Sequence, residues 1–222
     1  PESHHKKEGT PTMGGIIILL AIVLPTLLWT RLSNPFIQII LFAVIWMGAI
    51  GFIDDYLKIK KKFSKGLIAR YKITGQILLG LFISYILFNS EIVSYSILNN
   101  YNLKELIGQG TISIPFVANG FIDLGYLYIP LIILIIMASS NAVNLTDGLD
   151  GLSTGLVAIA CLVFAIIAYA SSRLDFSNYL NIIFIPHSGE LFIFCLTIVG
   201  SCIGFLWYNA HPAKIFMGDT GS

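Results

Sequence analysis

Charge is scarce in this chain: Asp, Glu, Lys and Arg make up 11% of its 222 residues, against 56% hydrophobic. That balance excludes an ordinary soluble domain and points to a protein that crosses a bilayer several times. Cysteine is scarce too. Cys161, Cys195 and Cys202 all fall inside apolar runs, which makes them small buried hydrophobes and excludes a disulfide framework or a zinc site. No internal repeat is visible. A net charge of +1 gives no ground for a nucleic-acid partner. The chain opens at Pro1 without methionine and stops at Ser222 within a polar motif, so it reads as an excerpt of a longer protein.

What is present is organised around Asn141 to Leu152, where two asparagines, two aspartates and two glycines follow directly on a strongly hydrophobic run, Tyr126 to Met137, and precede another. Ionisable groups beside hydrocarbon are costly and are usually kept for function. The expected fold is an all-α polytopic membrane protein forming one integral membrane domain over 1–222. Its six transmembrane helices are expected at about 14–29, 36–53, 73–88, 126–140, 152–170 and 191–208. Thr10-Pro11 reads as an N-cap with proline in the first helical turn. Ala118-Asn119-Gly120, between short β-type runs, predicts a small extracytoplasmic hairpin, with Pro115 confining the first strand to an edge. Six spans put the N-terminal tail, 54–72, 141–151 and 209–222 on one side. Ten of the thirteen Lys and Arg fall there. The positive-inside rule makes that side cytoplasmic.

The same side carries Asp54, Asp55, Asp147, Asp150 and Asp219. Carboxylates at the ends of several spans, with lysines from other segments, suit a magnesium–phosphate site, because Mg²⁺ takes a few carboxylates together with phosphate oxygens and water. Asp54 and Asp55 are adjacent and point about 100° apart on a helix, so one faces the target and the other orients it or contacts a second group. Asp147 and Asp150 share a face or sit on a broken helix end, where Gly148 and Gly151 admit a planar ligand. Topology alone accounts for most of the lysine run 58–72, with Lys65 and Lys72 as the exceptions. His4 and His5 read as a solvated pair. Trp29 and Tyr208 read as interface anchors.

Four stretches carry a resemblance: Lys7 to Gly15, Gly51 to Asp55, Asn141 to Leu152, and Phe205 to Ser222. Together they resemble the phospho-N-acetylmuramoyl-pentapeptide transferase family, within the prenyl-phosphate sugar-1-phosphate transferase superfamily. The Gly-Thr-Pro-Thr-Met-Gly-Gly element favours the muramoyl branch. The resemblance implies a Mg²⁺-dependent enzyme of the bacterial plasma membrane, with a cytoplasmic site, that joins UDP-N-acetylmuramoyl-pentapeptide and undecaprenyl phosphate and releases UMP. It implies Asp219 as metal ligand and Asp54 and Asp55 as the pair acting on the lipid phosphate. Asp147 and Asn144 then line the nucleotide site. Gly148, Leu149, Asp150 and Phe216 form the uracil pocket, with Lys7 and Asn209 nearby. Its partners are the two substrates and the lipid bilayer, with no nucleic acid and with a homodimer as the alternative to a monomer. A histidine-rich motif and further spans of that family have no counterpart before Ser222.

Two other readings compete. An N-acetylglucosamine-1-phosphate transferase would use the same aspartates with a different sugar contact. An ion-coupled transporter would place its acids near the bilayer midplane, often within inverted repeats, whereas here they cluster at the helix ends. One-step attack by the lipid phosphate and two-step catalysis through a covalent aspartyl intermediate both fit the residues.

Overall fold

The computed structural model describes residues 10–60, 66–89, 110–114, 120–180 and 182–222. Its helices are α1 (Gly15–Trp29), α2 (Pro35–Lys60), α3 (Ala69–Asn89), α4 (Tyr128–Thr146), α5 (Leu152–Ser171), α6 (Leu174–Leu180) and α7 (Gly189–Asn209). Long apolar segments become helices because hydrocarbon offers no partner for backbone N–H and C=O groups. By length and composition α2, α3, α4, α5 and α7 suffice to cross a membrane, and α1 is a shorter apolar helix of 15 residues containing Pro25. Leu28, Phe164, Ile166 and Trp207 are among many large apolar side chains left on the outer surface, as in a bundle solvated by lipid. This is a polytopic helical membrane protein.

Between α3 and α4 lies a two-stranded antiparallel hairpin, β1 (Thr111–Ser113) and β2 (Phe121–Asp123), with Ile112 opposite Ile122. Pro115, Ala118 and Asn119, on which the turn was predicted, lie outside the described residues.

Helix α5 packs along α7, α3 along α4, and α1 along α7. The buried core joins Ile18 and Ile22 of α1, Ile37 of α2, and Phe194 and Phe205 of α7 to Met217 of the C-terminal loop. Small residues let the backbones approach: a Cβ on Gly80 would meet Ile133 of α4 at 2.8 Å. At the end of the bundle away from the aspartates, the Asn34 amide donates to the His187 carbonyl (2.9 Å), and the Arg31 N–H donates to Glu190 (3.0 Å). These bonds tie the α1–α2 turn to the start of α7.

The structure corrects one expectation and extends two helices past their predicted spans. Thr10 does not cap α1, which starts at Gly15 after a Gly14 N-cap, because Pro11 to Gly15 is drawn into pairing with the far C-terminal loop. Helix α2 runs past the aspartate pair to Lys60, and α4 runs on to Thr146, so Asn141 and Asn144 are helical. The connection after α5 holds the short helix α6.

Candidate active site

The last turns of α2 carry Asp54 and Asp55, both almost completely buried. Their divergence on the helix sends them to different partners. Asp54 accepts from the Leu67 N–H through Oδ1 (2.5 Å), while its Oδ2 lies 2.5 Å from Lys58 Nζ and 3.2 Å from Lys72 Nζ. Lys58 is one turn further along α2, and Lys72 comes from the first turn of α3. Both ammonium groups also donate to Oδ2 of Asp219, Lys58 at 2.9 Å. Two cations thus bridge two carboxylates from segments far apart in sequence.

Asp55 faces the main chain of the Asp219 loop. Its Oδ1 accepts from the N–H of Asp219 (3.1 Å), and its Oδ2 accepts from the N–H (2.9 Å) and the hydroxyl (2.6 Å) of Thr220. The loop is seated further by backbone bonds: Phe216 N–H donates to Pro11, Gly14 N–H to Phe216 and Gly15 N–H to Met217, at 2.8 to 2.9 Å. Gly218 has φ +75°, a conformation that L side chains rarely adopt. A Cβ on Gly51 would run into the Asp219 carbonyl. From α4, the Asn144 amide donates to Asp219 Oδ1 (3.2 Å) and to the Ser222 hydroxyl (2.9 Å).

Oxygen atoms of Asp54, Asp55 and Asp219 all lie within 4.8 Å of one another. Asp54 Oδ2 is buried and, among the described residues, accepts no aligned hydrogen bond. The hard carboxylate oxygens of Asp54 and Asp219, now held by the two lysine ammonium groups, fit a Mg²⁺ ion. Burial alone would raise the Asp219 carboxyl; the neighbouring Asp54 carboxyl and the Lys72 and Lys58 ammonium groups outweigh it and hold Asp219 well below the usual carboxylate range. The ammonium groups are the physical cause, since positive charge favours the ionised form. Asp147, just past the end of α4, shifts the other way. Burial, and then the charges of Asp219 and Asp55, push its carboxyl up to about 6 against the pull of the Gly218 N–H.

A cavity of about 220 Å³ opens beside the cluster. Lys72, Gln76, Asn144, Asp219 and Ser222 line its polar part, and Leu19, Ile22, Val44 and Met47 line the part running between α1 and α2.

The remaining candidates occupy the loops after α4 and α7. Gly148 and Leu149 are exposed. The Asp150 side chain is largely covered, and its Oδ2 lies 3.2 Å from His211 Nδ1 and 3.3 Å from the Ala213 N–H. Asn209 is only 3% exposed. Its carbonyl accepts from Gly151 N–H and the Thr154 hydroxyl, both at 3.1 Å, and its amide donates to the Ile215 carbonyl (2.9 Å). It works as a tie between α5 and the C-terminal loop. Phe216, half-buried, belongs to the segment paired with Pro11 and Gly14. Lys7 and Lys65 lie outside the described residues.

Lys58 and Thr220 are site residues that sequence reasoning missed. Lys58 was absorbed into the topology-setting lysines, although its i,i+4 spacing from Asp54 was visible. Thr220 had no signal beyond adjacency to Asp219.

Comparison with known proteins places the chain in a family. Residues 37–222 match glycosyl transferase family 4, and residues 7–19 match the phospho-N-acetylmuramoyl-pentapeptide-transferase signature 1. Along its whole length the chain is 48% identical to the phospho-N-acetylmuramoyl-pentapeptide-transferase of Chloroherpeton thalassium, covering 57% of that protein. It is 47% identical to the one of Thermodesulfovibrio yellowstonii and 49% identical to the one of Gemmatimonas aurantiaca, covering 58% of each. The chain therefore spans somewhat more than half the length of these relatives.

Proposed function

The chain belongs to glycosyl transferase family 4, and from that premise and the carboxylate–lysine cluster we propose that it carries the catalytic core of a phospho-N-acetylmuramoyl-pentapeptide transferase. The reaction joins UDP-N-acetylmuramoyl-pentapeptide to undecaprenyl phosphate, giving the lipid-linked sugar and UMP. The observation that carries the reading is the meeting of Asp54, Asp219, Lys58 and Lys72 at the end of the membrane helices. A lipid phosphate reaches such a point from the bilayer and a nucleotide from water.

Asp219, with Asp54, would hold Mg²⁺. When bound, the ion supplies charge neutralisation at the pyrophosphate and polarises the phosphorus under attack. The chain's own groups do the rest. Lys58 and Lys72, now counter-ions of the two carboxylates, are shared with the incoming phosphates and anchor them. An oxygen of the lipid phosphate attacks the β-phosphorus, the bond to the bridging oxygen breaks, and UMP leaves. Asp54 accepts the proton of the lipid phosphate. Asp147, Asn144, Gly148, Leu149, Asp150 and Phe216 line the nucleotide side, with the uracil against Phe216. Asn209 keeps the two loops of that side together, and Lys7 and Lys65 would add positive charge for the substrate phosphates. The cavity running toward Leu19 and Val44 gives the start of the lipid chain a place next to its phosphate.

The site faces the cytoplasm, at the plasma membrane, because the lysine-rich segments share its side. A single cysteine placed between Lys60 and Gly66 is expected to be protected from an impermeant thiol reagent on intact cells. Labelling there would reverse the topology. For the activity, the full-length protein is expected to release UMP from UDP-N-acetylmuramoyl-pentapeptide only when undecaprenyl phosphate is supplied. A stoichiometric burst of UMP without the lipid would favour the covalent route, and no release with both substrates would remove the proposal.

A further inference from the structure

The two adjacent aspartates of α2 do different work. We propose that Asp55 and Thr220 form a clamp that aims the Asp219 carboxylate, which makes both of them positioning residues and leaves Asp54 as the member of the pair that faces the reacting groups. The inference rests on the preceding reading of Asp219 as a metal ligand.

The loop that carries Asp219 is permissive by composition, with Gly218 and Gly221 on either side and Gly218 at φ +75°. Left to itself such a loop samples many backbone states, and its carboxylate has no fixed direction. Asp55 removes that freedom at the residue that matters. It holds the N–H of Asp219 and the N–H of Thr220, one on each carboxylate oxygen, and takes the Thr220 hydroxyl as a third donor. Bonds from N–H and O–H groups to an ionised carboxylate are among the strong ones. Two consecutive N–H groups held by one planar carboxylate also fix the orientation of the peptide plane between them.

The surroundings fit a clamp and not a binding face. Asp55 is 4% exposed and is roofed by Gly218, where a Cβ would lie 2.8 Å from Asp55 Oδ2. The loop backbone lies directly on Gly51, one helical turn before Asp55, and on Gly15 of α1. Both contacts bring main chain against main chain and leave no room for a substrate between α2 and the loop. Asp54, on the neighbouring face of α2, instead meets the two ammonium groups that Asp219 also meets. The same helix thus presents one carboxylate to the ligands and uses the next to hold the loop that completes the site.

The test uses the full-length protein in detergent with Mn²⁺ as the probe, free Mn²⁺ being read by its electron paramagnetic resonance signal. Thr220→Val keeps the shape and removes the hydroxyl donor, Thr220→Ser restores the donor, and Asp219→Asn is the control. Disturbing the partner that orients a metal ligand costs about 10- to 100-fold in metal affinity. Thr220→Val is therefore expected to weaken Mn²⁺ binding by about that factor with an unchanged thermal midpoint, and Thr220→Ser to bind as the parent does. A residue that merely stabilised the fold would move the midpoint and leave the affinity of the folded protein alone. Should Thr220→Val fail to fold, Thr220→Ala is measured in its place with the same expectation. Unchanged Mn²⁺ affinity in the folded hydroxyl-less variant, with binding lost in Asp219→Asn, overturns the clamp alone. Unchanged affinity in Asp219→Asn overturns the metal assignment and the clamp with it.

Discussion

Asp54 and Asp150 are both nearly buried carboxylates at the polar end of the bundle, yet they sit in opposite kinds of surroundings. Asp54 is enclosed by Lys58, Lys72 and the Leu67 N–H, groups contributed by α2, α3 and the segment before it. Asp150 meets His211, whose side chain is 82% exposed, and an N–H from the loop after α7. The first half of the site is a dense charge network locked to helices. The second is built on turns, with exposed Leu149 and Gly148 beside it. Phosphate transfer needs charges fixed in advance, because reorganising them during reaction is costly. Recognising a base and a sugar needs shape and reach, which loops supply. On the proposed function, the division between the halves would follow the division between chemistry and recognition.

That comparison is tested most severely at its charged end. Asp219→Asn is expected to cut the rate of UMP release by about a hundredfold or more, the usual loss when a group stabilising the transferring charge is removed, with the protein still folded by circular dichroism. A near-parental rate at low magnesium would take Asp219 out of the chemistry. Next come two variants read together by steady-state kinetics and calorimetric titration with the nucleotide substrate. Asp54→Asn is expected to lower kcat by about a hundredfold with nucleotide affinity retained. Phe216→Ala is expected to weaken nucleotide affinity by about 1–3 kcal/mol, the range for a lost base stack, with a smaller change in kcat. If Asp54→Asn loses nucleotide affinity as severely as Phe216→Ala, the two halves are not separable.

The aspartate pair and the charge asymmetry made the polar end legible in the sequence, because both depend on local spacing and on counting loops. The partners of Asp55 were not legible. They are main-chain N–H groups and a hydroxyl some 160 residues away, and only the folded chain brings them to α2. Lys58 was hidden for a different reason: a lysine that sets topology and a lysine that binds phosphate look the same in a basic run. Thr10-Pro11 illustrates tertiary override, since the local capping signal lost to backbone pairing with Phe216 and Met217. The short helix α6 is too brief for periodicity to reveal.

Smaller effects sharpen the contrast further. Gly51→Ala puts a methyl against the Asp219 carbonyl, and overpacking of this kind costs about 1–3 kcal/mol. The variant is expected to lower the thermal midpoint and to lose activity more than stability, because the displaced backbone is that of Asp219. The same substitution at Gly155, where a Cβ meets nothing within 4 Å, is expected to be near neutral. The smallest effect is one of pH. Asp147 ionises at about 6 in the folded chain against an ordinary value of 3.8, so the folded state holds its proton more tightly than the unfolded state does. The stability that this contributes is complete below pH 4 and is lost as pH rises through about 6. Asp147→Asn cannot lose it, so its thermal midpoint is expected to gain on the parent between pH 4 and pH 7. A constant difference across that window would mean that the carboxyl titrates normally.

The pairing of Pro11 to Gly15 with Phe216 and Met217 has a bearing on biosynthesis. The two strands of that contact lie roughly two hundred residues apart, so the ribosome delivers the first long before the second. Each helix reaches the bilayer in turn while the opening segment waits without its mate, and closing so long a loop is among the slowest kinds of contact to form. The Asp219 loop can take its seat only after α7 has inserted and brought its own C-terminus back to α1. Until that moment the nascent chain holds Asp54 and its lysines without Asp219, and the carboxylate–lysine cluster is incomplete.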